Sequence, residues 1–136
     1  MALDVMQDLD DYIPDADAVD RGDYRVRIRD ARGTTNRSLM VNSEITYGKT
    51  QGNGKDPVGR DFTIFIALHP EEIENDFFRK KSMNLLKKFF VATGMTSQSE
   101  ATDCIGKEIW VSTNPRKNKE SGKLSDDPQD FRSYEG

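Results

Sequence analysis

From Tyr24 onward the chain alternates apolar and polar positions with a period of two. Tyr24, Val26 and Ile28 point to one side and Arg25, Arg27 and Arg29 to the other, the pattern of a strand with one buried face. Gly33-Thr-Thr-Asn36 reads as a turn. A second run then sets Leu39, Val41, Ser43, Ile45 and Tyr47 against Met40, Asn42, Glu44 and Thr46, and the two runs predict an antiparallel pair. Residues 48–59 hold four glycines, two lysines and an Asn53-Gly54 turn signal, so they read as a long loop. Arg60 to Leu68 is a third strand, with Phe62, Ile64, Ile66 and Leu68 on one face and Asp61, Thr63, Phe65 and Ala67 on the other.

The period then changes. His69-Pro70-Glu-Glu72 opens a helix predicted to run to about Thr93, with Gly94 as its stop. Ile73, Phe77, Phe78, Leu85, Leu86, Phe89 and Phe90 supply its apolar face, and its phenylalanines are expected in the core. Met95 to Thr102 is a polar connection. Glu108 to Thr113 is a fourth strand that sets Trp110 against Ile109 and Val111; alternation alone does not say which side is inward. Asn114 to Asp127 is a second long loop, with Arg116, Lys117, Lys119 and Lys123, and Gln129 to Tyr134 is a short fifth strand. The order β-β-β-α-β-β predicts a mainly β protein, a five-stranded OB-fold barrel with one helix between strands 3 and 4. The domain is expected over residues 21–136.

Residues 1–20 lack this periodicity. Leu3, Val5, Met6 and Leu9 offer at most one short helical face, Tyr12-Ile13-Pro14 is a segment that could dock, and the stretch reads as a partly disordered acidic arm. Charge sharpens the division. Residues 1–23 carry eight Asp and one Arg, a net of −7, so residues 24–136 are at +3 although the whole chain is at −4. An acidic chain with a mildly basic folded part is compatible with an anionic partner. No apolar run approaches the ~20 residues of a membrane helix. The acidic start differs from the basic start of a secretion signal, and the single cysteine leaves no internal disulfide. A soluble, cytoplasmic protein without metal or other cofactor is therefore expected.

Catalytic patterns are weak. His69, the one histidine, stands directly before Pro70, and Cys104 has no second cysteine to join it. Residues 48–59 are rich in glycine, but no helix follows them to complete a phosphate cradle. Binding chemistry is stronger. Arg25, Arg27 and Arg29 project from one side of a strand, Lys49, Lys55 and Arg60 come from the first long loop, and Lys117 and Lys119 from the second. A cationic groove of this kind follows a phosphate backbone. Phe65 is out of phase with Phe62, Ile64 and Ile66, Trp110 is out of phase with its neighbours, and Tyr47 stands at the mouth of the first loop. Rings in such places stack nucleobases, worth roughly 1–3 kcal/mol per base. The plainer alternatives are a solvated arginine face, Phe65 packed under the helix, and Trp110 packed against the arm or a neighbouring subunit.

Four segments, Gly22-Asp-Tyr-Arg-Val-Arg-Ile28, Gly59-Arg-Asp-Phe62, Phe89-Phe-Val-Ala-Thr-Gly94 and Gly106-Lys-Glu-Ile-Trp-Val111, resemble small bacteriophage single-stranded DNA-binding proteins with an OB-fold. The resemblance spans roughly residues 20–134. It implies a non-catalytic protein that coats single-stranded DNA in replication, recombination or repair, without sequence preference. It also implies replication or recombination proteins as partners of an acidic tail, usually C-terminal in such proteins, whereas the acid here is N-terminal. Two further readings use the same features: a protein-interaction module or nucleic-acid mimic acting through the acidic arm, and an OB-fold RNA binder. Self-association into a homo-oligomer is left open.

Overall fold

The computed structural model describes residues 4, 6, 7, 9–11 and 18–134. Five strands form one curled antiparallel sheet: β1 (Gly22–Gly33), β2 (Ser38–Tyr47), β3 (Asp61–Ala67), β4 (Glu108–Thr113) and β7 (Pro128–Ser133), in the order β3-β2-β1-β4-β7. One helix, α1 (Asp76–Thr93), lies in sequence between β3 and β4. It packs on β7 and on β3, the two edge strands, so the sheet must curl far enough to bring both edges to one helix. Among the described residues no strand pairing joins β3 to β7, so the expected closed barrel is an open half-barrel with the helix across the gap.

Alternation places the core as the pattern predicts. Tyr24, Val26, Ile28, Val41, Ile45, Phe62, Ile64, Ile109 and Val111 are buried on the inner face, with Phe89 of α1 edge-on to Phe131 of β7 at 5.3 Å. Burying each such side chain contributes about 1.5–3 kcal/mol. Among the described residues no helix is long and apolar enough to cross a membrane.

The element order departs from β-β-β-α-β-β. Within the expected second loop a two-stranded hairpin forms, β5 (Arg116–Lys117) with β6 (Leu124–Ser125). The expected helix start also moves. Pro70–Glu72 is a separate 3-10 turn closed by the Ile73 N–H on the Pro70 carbonyl, and Ile73 is extended. Asn75 then caps α1, its side-chain oxygen accepting from the Phe78 N–H at 3.0 Å. Proline and two acids suit a first turn, but a side-chain cap five residues later fixes the true start. Gly94 ends the helix in the left-handed region, at φ 75°. Phe77 and Phe78, in the first turn of α1, are exposed at 70% and 49%, contrary to the expected core placement. The helix instead reaches the core through Leu85, Leu86, Phe89 and Phe90.

Ala18 and Val19 are buried, and Asp20 is hydrogen-bonded into the first loop, so these three residues belong to the folded body. Asp4, Met6, Gln7, Asp10 and Asp11 are exposed, and Leu9–Asp11 form a 3-10 turn. The helical face expected from Leu3, Val5, Met6 and Leu9 lies largely outside the described residues, and Tyr12-Ile13-Pro14 lies wholly outside them.

Candidate nucleic-acid interface

Three β-bulges decide what the outer face of the sheet displays. Arg25 pairs with Tyr47 but Val26 pairs with Ile45, so Thr46 is an extra residue in β2. A strict period of two would put Tyr47 inside with Ile45; the bulge turns it outward, where its ring is 58% exposed. In β1 the extra residue is Arg29, between the Ile28–Ser43 and Asp30–Asn42 pairs. In β7 it is Gln129, between the Thr113–Pro128 and Ser112–Asp130 pairs.

The result is one row across four strands: Tyr47, Arg25, Trp110 and Arg132. At about 4.8 Å per strand spacing, the row spans ~14 Å. The Arg25 guanidinium lies over the Tyr47 ring at 5.7 Å and over the Tyr134 ring at 4.9 Å, and it donates to the Tyr134 hydroxyl at 3.2 Å. Its Nε also donates to the Thr46 hydroxyl at 3.2 Å and lies 3.3 Å from a Glu108 carboxylate oxygen. The Trp110 ring meets Tyr47 edge-on at 5.8 Å and is half-buried, so Tyr47 and Tyr134 are the more open rings.

The arginine stripe is partly neutralised across strands. Arg25 and Arg27 share Glu108, and Arg29 pairs with Glu44. Three arginines against two glutamates leave a net of +1 on this strip. Denser uncompensated charge lies in the hairpin segment. Arg116, Lys117, Lys119 and Lys123 are exposed and make no ion pair with a described residue, and Glu120 is the one carboxylate from 116 to 125.

The two long loops meet at one end of the sheet. β2 ends at Tyr47 and β4 at Thr113, both beside the start of β1. Residues 18–20 tie the loops together there. The Val19 N–H donates to Asp126 of the second loop at 2.9 Å, and the Asp20 N–H donates to Gln51 of the first at 2.7 Å. The buried Tyr24 hydroxyl donates to the Asp20 carbonyl at 2.6 Å and accepts from Gln51 Nε2 at 2.9 Å. Burial pushes the Tyr24 hydroxyl above its ordinary range, which keeps it a donor. Burial also pushes the Asp126 carboxyl upward, against the opposing pull of the Val19 N–H and the nearby Arg60 charge.

Of the expected site residues, Arg25, Tyr47 and Trp110 are adjacent, with Arg27 and Arg29 further along β1. Lys49 extends past Gly22, which pairs with Thr113 at the foot of the hairpin that carries Lys117 and Lys119. Lys55 and Arg60 belong to the loop tied to Asp20, and Arg60 acts on Asp126. Phe65 is exposed at 65% but stands apart. It pairs with Met40, seven residues from Tyr47 along β2, or about 23 Å at 3.3 Å per residue. Tyr134 was missed by the sequence reading. With Phe131 inward, the same alternation puts Arg132 and Tyr134 outward, so the signal was there. Cys104 is buried, and its thiol donates to the Ala101 carbonyl, away from this face.

Neither a scan of protein-family models nor a search of curated proteins returns a match to the chain.

Proposed function

We propose that the chain is a non-catalytic, largely sequence-independent single-stranded DNA-binding protein, and that its half-barrel is an OB-like barrel whose β3–β7 seam is bridged by α1. The observation that carries this reading is the bracket of Tyr47 and Tyr134 around Arg25, beside Trp110, on an open sheet face from whose end project the hairpin cations that make no ion pair with a described residue. Rings with free faces stack bases of any sequence, and exposed lysines neutralise phosphates. An unpaired strand presents both groups at once. A duplex hides its base faces, so this combination suits single strands. Coating of exposed DNA in replication, recombination or repair is the role that fits, with other proteins of those processes as partners.

The test is fluorescence anisotropy of a labelled oligo-dT titrated with the full chain at two salt concentrations. Binding is expected at low salt, falling by about 0.7 in log K per decade of salt for each phosphate contacted. Trp110 emission is expected to change on saturation. Absence of binding at low salt refutes the reading. Preference for oligo-U over oligo-dT transfers it to RNA, since only the 2′-hydroxyl and the base methyl differ.

A further inference from the structure

Helix α1 carries five cations and one carboxylate between Asp76 and Thr93, a net of +4. Arg79 pairs with Asp76 and Lys88 with Asp130, while Lys80, Lys81 and Lys87 make no ion pair with a described residue. Phe77, Lys81, Asn84 and Lys88 are spaced 4, 3 and 4 residues apart, so they form one stripe along the helix, with Lys80 beside it. The stripe lines a groove of about 450 Å³ whose other wall includes Gln129. The exposed Phe77 ring stands at its upper end, edge-on to Phe78 at 5.4 Å.

This groove opens at the foot of the basic hairpin. Gln129 is the bulged residue of β7, two residues past the segment 114–127, and its side-chain amide donates to the Asp127 carbonyl at 3.0 Å. Gln129 therefore stands between the hairpin cations Arg116, Lys117 and Lys119 and the helix cations Lys80 and Lys81, with Asp127 beside it and Asp130 paired to Lys88. A second copy of the chain is a poor occupant, because two helices of charge +4 repel when face to face. An anionic partner with flat apolar groups satisfies both the lysines and the exposed ring.

We propose that this face of α1 is a second contact surface for a single-stranded polynucleotide, and that a long strand leaves the sheet face, passes the hairpin and continues along the helix with a base on Phe77. The proposal rests on the sheet-face reading above. It extends the site beyond the ~4–16 nucleotides usual for one OB fold.

Full-length wild type, Phe77→Ala and the double variant K80Q/K81Q are compared by anisotropy with oligo-dT of about 8 and about 30 nucleotides, chosen to fall within and beyond one OB-fold site. All three substitutions are on exposed or half-exposed helix positions, and circular dichroism melts confirm folding. With the longer strand, K80Q/K81Q is expected to reduce the salt slope by about 1.4, at 0.7 per lost phosphate contact. Phe77→Ala is expected to weaken binding of the longer strand about 5-fold or more, the lower end of the stacking range. Binding of the shorter strand is expected to be unchanged. Variants that match wild type on the longer strand overturn the proposal and leave the sheet-face reading standing; the lysines would then suit an acidic protein segment. Equal losses with both lengths also overturn it, because the helix would then belong to the primary site. A wild type that binds neither strand sinks both readings.

Discussion

Gly48 sits where the first long loop leaves the sheet, and a methyl group there has no room. An added Cβ would lie 2.4 Å from Cδ1 and 2.8 Å from Cε1 of Tyr24, and 3.1 Å from Cγ of Pro57. Ordinary contact begins near 3.4 Å, so about 1 Å of overlap must be relieved. The Tyr24 ring is fully buried, and its hydroxyl is fixed by Asp20 and Gln51, so swinging it aside breaks two hydrogen bonds. Gly48→Ala is therefore expected to destabilise by about 1–3 kcal/mol, the usual range for overpacking. At about 2.1 cal/mol/K per residue over the chain, this lowers Tm by about 4–10 °C. Calorimetry or circular dichroism measures it. The control is the same substitution with Tyr24→Leu, which removes the ring's outer atoms and should recover most of the loss as a coupling of about 1 kcal/mol or more. Equal losses in both backgrounds, or a Tm shift under about 2 °C, would refute the claim that Tyr24 fixes this loop.

Other consequences follow from single contacts. Asp126→Asn keeps an acceptor for the Val19 N–H and removes a carboxyl whose folded pKa burial has raised. Such a carboxyl favours folding at and below the ordinary aspartate range and loses that contribution as pH rises through its folded value; the variant should be more stable than wild type at pH 7 and should flatten the slope of stability above the ordinary range in urea melts. Arg25→Lys keeps the charge but loses the planar group between Tyr47 and Tyr134, so oligo-dT affinity should fall several-fold with an unchanged salt slope. K117Q/K119Q should do the reverse, reducing that slope by about 1.4 while leaving the Trp110 signal at saturation intact.

The sequence was enough to locate all five sheet strands, and its alternation to group the residues that share a face while leaving the inward side of β4 open, because a one-sided sheet forces a period of two. Tyr24, Val26 and Ile28 are buried for that reason. Single extra residues were beyond its reach. The bulge at Thr46 reverses the side on which Tyr47 emerges, and nothing in the run Glu44-Ile-Thr-Tyr47 announces it. Cross-strand partners were equally hidden: Arg25 and Arg27 meet Glu108 only through the β1–β4 register, some 80 residues away in sequence. The stripe that read as free positive charge is therefore largely paired, while the hairpin carries cations that make no ion pair with a described residue. The helix face misled for a different reason. Phe77 and Phe78 extend its apolar pattern, but Asn75 starts the helix beyond the part that covers the sheet.

The acidic segment is where local charge and fold meet, and the structure dictates how it must be tested. Removing residues 1–20 would delete Ala18 and Val19 from the core and take Asp20 from both Gln51 and Gly52, so a loss of binding would report unfolding of the loop end. Removing residues 1–17 leaves those contacts intact and deletes six aspartates and no cation, moving the net charge from −4 to +2. If the polynucleotide binds at the loop end of the sheet, the retained chain carries every proposed contact, and the six lost charges can only have repelled the ligand. Affinity for oligo-dT should then hold or rise, with the larger gain below 0.1 M salt, where the Debye length exceeds about 10 Å. A truncated chain with wild-type Tm but weaker binding would mean that the segment itself touches the strand, and the site would have to be redrawn to include it.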